Sequence, residues 1–297
     1  MDPYYVSRPT RDSRWVELWA GYQLQFAGQR RQPWQEDLAV DLAAAIGALA
    51  LTPEEPLAGE YATTDTHQCD VENRLFTNPG TKVTGQPQAI MFERSPEPPP
   101  APPVPIALMD RHLHHYRYRP SDRWHWWEPD ELLARWNRFP RHLADDGSAL
   151  PTWLAMRLAA AQGGITVRAP EFVAGTVFGL RVVVHATPAG PRSAAAVSEP
   201  LIDGVVSAFH GRDVRPEVVT VLADRVTAKA PWVSHREVEE FVKTDGPGPL
   251  FTPSALTRSG GFSPADELCY AGAVTIRRDA RGPVPEISGE LFTLRRR

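Results

Sequence analysis

The order of strand-like and helix-like segments predicts an α/β or mixed α+β protein, with a central mixed sheet flanked by short helices. Three observations carry this expectation. Val177 to His185 is a largely apolar run in which Leu180, Val182 and Val184 face one way, the composition of a strand in the middle of a sheet. Val16, Leu18, Ala20, Tyr22, Leu24 and Phe26 alternate with mostly polar neighbours, the two-residue period of a half-buried strand. Helix-like periods are interleaved with such runs, and no internal repeat is present.

Taken in order, the first strand is followed by a helix over Trp34 to Ile46, where Leu38, Leu42, Ala45 and Ile46 share a face and Gly47 is placed to take a left-handed cap. Glu60 to Thr66 reads as a strand, Asn78-Pro79-Gly80 as a turn, and Gln88 to Phe92 as another strand. The alternation of His112, His114, Tyr116 and Tyr118 with Leu113, His115, Arg117 and Arg119 predicts a basic, aromatic ribbon. Pro129 is read as opening a helix carrying Leu132, Leu133 and Trp136, and Pro151 as opening a second, ended by Gly163-Gly164. After the central strand, a small-residue loop leads to Pro200, and Ile202, Val205, Val206 and Phe209 mark a helical face up to Gly211. Helices over Pro216 to Val226 and Ser234 to Val242 follow, the latter with Ser234 and Glu237 as a capping box. Tyr270 to Arg278 and Glu290 to Arg297 read as strands.

The 297 residues suffice for a sizeable core. Thirty prolines, about double average usage, predict interrupted elements and long loops. From Pro96 to Pro105 the chain is almost all proline and alanine, an extended joint without a packed side. The expected organisation is an N-terminal part of the core over 1–95, a linker over 96–105, an aromatic and basic insertion over 106–176, and the rest of the same core over 177–297. A net charge of −4 and a pI near 6.2 exclude binding of nucleic acid through the overall field and leave room for a local basic patch. Two cysteines, Cys69 and Cys269, do not make a disulfide framework. No signal-like N-terminus and no apolar run of membrane-spanning length are present, so a cytoplasmic location and no membrane partner are expected.

Chemistry concentrates at Cys69-Asp70-Val71-Glu72-Asn73. On an extended segment Asp70 and Glu72 point the same way and can face one divalent cation. Asp203 lies beside the apolar stripe of its helix, and Asp266-Glu267 enters a strand. Each piece alone also reads as a surface turn or a helix boundary. For nucleophilic catalysis there is no Gly-x-Ser-x-Gly elbow, and Walker A and dinucleotide fingerprints are absent. His112, His114 and His115 lack a second ligand pair for zinc.

Together the three acidic pieces resemble the RusA-type Holliday-junction resolvases, a family of magnesium-dependent endonucleases acting on branched DNA. The counterparts are Asp70-Val71-Glu72-Asn73, Ile202-Asp203-Gly204-Val205 running to Gly211, and Asp266-Glu267 before Tyr270 to Ile276, in the family's order. Glu72 stands where the family has a second Asp, Phe76 where a basic residue is usual, and Glu199 where a Lys often precedes the helix acid; the pieces are also far apart in sequence. The resemblance implies a magnesium site formed by Asp70, Glu72 and Asp266, with Asp203 and Glu267 as further catalytic acids. Arg30, Arg31, Arg74, Arg117, Arg119 and Trp126 are the candidate nucleic-acid contacts, since guanidinium groups and an indole suit phosphate and base stacking. Trp124, Trp126 and Trp127 read equally as an aromatic satellite core. A fold relative without activity is a variant of this reading. The competing expectation is a non-catalytic binding or assembly component of a bacterial accessory system, contacting a protein partner through the proline tract or the Trp/Arg region.

Overall fold

The structure is a computed structural model that describes residues 2–10, 12–26, 31–144, 146–168, 175–248, 250–251 and 254–297. Ten strands form one mixed sheet, flanked by helices in an α+β arrangement. The strands are β1 (Tyr4–Val6), β2 (Val16–Ala20), β3 (Leu57–Thr63), β4 (Ala89–Arg94), β5 (His114–Pro120), β6 (Trp127–Pro140), β7 (Ile165–Val167), β8 (Phe178–His185), β9 (Cys269–Arg277) and β10 (Glu286–Arg296). Their order across the sheet is β1-β2-β5-β3-β4-β9-β8-β10-β6-β7. The helices are α1 (Pro33–Gly47), the short α2 (Thr81–Thr84), α3 (Leu150–Ala161), α4 (Ala194–Ala208), α5 (Pro216–Lys229) and α6 (His235–Lys243).

Two neighbouring pairs, β3 with β4 and β8 with β9, are parallel, and β4 and β9 join them antiparallel. Parallel pairing requires a crossover, and each crossover here carries helical chain over the same face of the sheet. The register Glu93↔Ala271 brings the beginning of β9 to the end where β3 and β4 finish. Segments that leave β3 and segments that enter β9 therefore meet at one edge of the sheet.

β8 is interior, as its apolar run demands: Leu180, Val182 and Val184 are buried against the helices, whereas Arg181 points to the opposite face. Several expectations shift. Residues 129–139 are not a helix. They belong to β6, whose pairing with β10 is interrupted by bulges, so Leu132, Leu133 and Trp136 recur at helix-like spacing while remaining extended. Residues 106–176, expected as an insertion, supply β5, β6 and β7 to the common sheet. The left-handed residue after α1 is Ala50 (φ 47°) rather than Gly47. The α4 helix starts at Ala194, so Pro200 lies inside it and the preceding small residues are helical.

The segment over 96–105 is tied down rather than hinged. Ser95 N–H donates to Tyr61 O (2.8 Å), Trp19 Nε1–H to Pro100 O (3.0 Å) and Ala107 N–H to Asp2 O (2.9 Å). It crosses the sheet face opposite the helices, where Trp124 and Trp127 pack with Ala58, Met91, Ala271 and Phe292 as a small second core. The main core lies on the helix side and includes Trp136, Tyr61, Tyr116, Tyr118, Phe76 and Phe178.

Gly204 sets the spacing of α3 and α4. A Cβ there would lie 2.6 Å from Ala149 O and 2.5 Å from Thr152 Cβ, and the carbonyl cannot rotate away as a side chain would. Gly204→Ala is therefore expected to destabilise the fold by about 1–3 kcal/mol, the usual range for overpacking. An unchanged urea midpoint would show that the two helices separate freely.

Candidate functional site

The loop leaving β3 reaches Asp70, whose Oδ1 accepts the Asn73 N–H (3.1 Å) and whose carbonyl accepts the Arg74 N–H (3.3 Å). A carboxylate that satisfies a free N–H starts a helical turn. Asn73–Thr77 continues as a π-helical turn closed by Asn78 N–H to Asn73 O (2.8 Å). The extended geometry expected for 70–72 is thus replaced by a capped turn, and Asp70 and Glu72 do not share a pleat. Glu72 instead turns inward. It is buried, accepting hydrogen bonds from Ser198 Oγ and from Thr77 Oγ1 (3.2 Å).

Ser198 belongs to α4, and its neighbour Glu199 accepts from Asn73 Nδ2 at 3.2 Å. One turn further along the same face stands Asp203. Asp266 heads the 3-10 turn Asp266–Leu268 that enters β9, and the preceding Ala265 N–H is held by Nε2 of His210 (3.2 Å). Asp266 lies within hydrogen-bonding reach of both Asp70 and Asp203. Three segments distant in sequence thus bring Asp70, Glu72, Glu199, Asp203 and Asp266 into one acidic group.

The electrostatic consequence is a set of carboxyls that resists ionisation. Burial, then the charges of Asp70 and Asp203, push Asp266 up to about 9. Asp203 rises to about 7 through burial and the charges of Asp70 and Glu199. Glu72 is raised well above the carboxylate range by complete burial and by Asp70, and Asp70 and Glu199 are raised as well, burial again being the main cause. Glu267 is half-buried and is not among the main groups shifting these acids.

Positive charge adjoins this group without pairing to it. Arg74 acts on Asp70, and Arg74 and Arg94 both act on Cys69 and Tyr61. Nε of Arg74 and Nη1 of Arg94 are buried without a hydrogen-bond partner, so both guanidinium groups keep donor capacity. Glu199, Ser198 and Arg94 were not legible as members of the site. The spacing of Glu199 from Asp203 is the helical i,i+4 signal, hidden because Pro200 reads as a helix start.

The other candidate contacts lie elsewhere. Arg117 pairs with Glu17 (2.8 Å) and Glu60 (3.4 Å), Arg119 reaches Glu93 at 3.7 Å, and Trp126 Nε1 donates to Glu60 (2.8 Å). These residues occupy the sheet face opposite α4 and tie the Trp-rich segment to β3 and β4. Glu93 also accepts the backbone N–H groups of His125 and Trp126, and burial raises it to about 7. Arg31 lies over the Phe26 ring (5.0 Å), away from the acids in sequence and in contacts, and Arg30 lies outside the described residues. His114 is enclosed by Tyr61 and Asp110.

Among the described residues, no three His, Cys, Asp or Glu side chains form a ready-made metal-binding group. No described helix is long and apolar enough to cross a membrane. Comparison with known proteins finds no matching family model, no matching curated protein and no matching solved structure.

Proposed function

We propose that this chain is a divalent-metal-dependent nucleic-acid-processing protein with endonuclease-like chemistry, similar in the order of its acidic pieces to the RusA-type resolvases. The observation that carries the reading is the meeting of Asp70, Asp203 and Asp266, with Asp266 within hydrogen-bonding reach of the other two, from the exit of β3, the middle of α4 and the entry to β9. A fold gains nothing in stability from gathering five carboxylates, one buried and four half-buried; such crowding is characteristic of functional sites.

The donor set suits magnesium or manganese, which take hard carboxylate oxygens. Asp70, Asp203 and Asp266 would hold the ion. Glu72, fixed by Ser198 and Thr77, lies behind them as a buried acid. Such an ion supplies an activated water and neutralises phosphate charge. The chain's own contribution is to orient the acids through the Asp70 cap and the His210 bond to Ala265, and to set the positive charge of Arg74 beside Asp70, where it attracts phosphate.

The test is incubation of the full chain with end-labelled four-way-junction, duplex and single-stranded DNA, with magnesium or with EDTA. Magnesium-dependent cleavage of the junction is expected. Absence of both cleavage and magnesium-dependent binding on every substrate overturns the reading.

A further inference from the structure

On the sheet face opposite the helices, β8, β10 and the loop after β9 bring together three side chains that the acidic site does not use. His185 Nε2 lies 2.9 Å from Ser288 Oγ, and His185 Nδ1 lies 2.8 Å from Asp279 Oδ1. Asp279 is held below the ordinary carboxylate range, chiefly by its hydrogen bond with His185, and is therefore an acceptor. That fixes the neutral imidazole as the tautomer with hydrogen on Nδ1. Its Nε2 lone pair then accepts the Ser288 hydroxyl proton. We propose that Ser288, His185 and Asp279 form a second catalytic site, a serine nucleophile with a histidine base, acting on small esters that carry an anionic group.

Four features beyond the two distances support this assignment. The β10–β6 register slips opposite Ser288, where Asn137 and Arg138 of β6 face this single residue, so the ladder beside the serine is open while Ser288 keeps its register with β8. Ser288 is half-buried and His185 is buried, so the nucleophile is reachable while its base is shielded from water. The three residues line an open groove of about 500 Å³, enough for a small substrate. The same groove is lined by Arg138, Arg181 and Arg277; Arg138 pairs with Asp279 (3.3 Å) and Glu286 (3.1 Å) and Arg181 with Glu290 (3.0 Å), whereas among the described residues Arg277 makes no ion pair. Arg277 accounts for the anionic group in the substrate and offers donors to the oxygen that becomes negative during attack.

The chemistry balances with water as the only co-reactant. Ser288 Oγ bonds to the acyl carbon as its proton passes to His185 Nε2. The bond to the leaving alcohol breaks, and the alcohol takes that proton. Water then gives a proton to Nε2 and attacks the acyl carbon, and Ser288 Oγ departs with the proton. Asp279 acts through the imidazole as a positioning residue. The sequence hides the trio because its members lie far apart in the chain and no elbow motif surrounds Ser288.

The experiment treats the full chain with a fluorophosphonate probe, locates the adduct by peptide mass spectrometry, and follows p-nitrophenyl acetate release. One adduct on Ser288 is expected. It should be absent in Ser288→Ala, and its rate of formation should fall at least about 100-fold in His185→Gln, the contribution of a positioned base. Asp279→Asn should slow labelling and Asp279→Glu should restore part of it. Circular dichroism checks that each variant is folded. An unlabelled Ser288 in the folded parent, or equal labelling rates in the parent and a folded His185→Gln variant, overturns the proposal. Junction cleavage by Ser288→Ala should match the parent, because the acidic site is separate.

Discussion

Thermal unfolding in EDTA is expected to show a protein markedly more stable at pH 5.5 than at pH 8.5. Asp266 and Asp203 carry folded-state values of about 9 and about 7, against roughly 4 for an unfolded aspartate. An acid with a raised folded value favours the unfolded state once that state can ionise. Its stabilisation is complete below the unfolded value and is lost as pH rises towards the folded value. For Asp266 alone the interval from pH 5.5 to 8.5 amounts to about 4 kcal/mol at ~1.4 kcal/mol per pH unit. Because the acids share protons, the loss belongs to the set. Asp266→Asn should flatten the slope, and magnesium at pH 8.5 should restore stability by binding only the folded state. The carboxyls held low by cation partners, Glu17 beside His115 and Arg117 and Asp213 beside Arg215, lose their contribution only as pH falls through about 2, below this window. A melting temperature that is level or rising from pH 5.5 to 8.5 would mean that the acids are not buried together.

Asp70→Asn is expected to lower magnesium-dependent junction cleavage on the order of 1,000-fold, the effect of about 4 kcal/mol added to the barrier. The substitution is informative because asparagine still caps the turn, so the Asn73 N–H keeps an acceptor and the fold is retained. Calorimetry should show the magnesium-binding heat weakened in Asp70→Asn and absent in the Asp70→Asn, Glu72→Gln double variant. A double variant that binds magnesium like the parent would place the ion elsewhere. Cleavage unaffected by Asp70→Asn would remove this residue from the chemistry.

What the sequence disclosed and what it concealed follow from distance along the chain. The apolar run of β8 and the capping box of α6 act locally, and both elements stand close to where their residues place them. In β6 the bulges opposite β10 add unpaired residues, so two-residue alternation degrades into a three-to-four spacing that reads as a helix. Pro200 reads as a helix start because an interior proline forfeits a hydrogen bond, yet α4 tolerates it within its packed surroundings. That single misreading kept Glu199 out of the acidic group. Asp70, Asp203 and Asp266 were visible as separate pieces, but their meeting depends on the antiparallel junction of β4 and β9, which pairs chain segments far apart in sequence. The trio around His185 depends in the same way on β8 lying beside β10.

The outermost strands, β1 and β7, are three residues long, although the sheet they bound has ten strands. A long flat border would present a row of free backbone donors and acceptors on which another chain could build. Borders this brief leave little template of their own, and β6, which β7 covers only over Ala134–Trp136, has its regular ladder broken by bulges, both devices by which large sheets avoid lateral stacking into aggregates. The width of the sheet therefore serves its interior, and the molecule is expected to stay dispersed at concentrations where a sheet with long margins would polymerise.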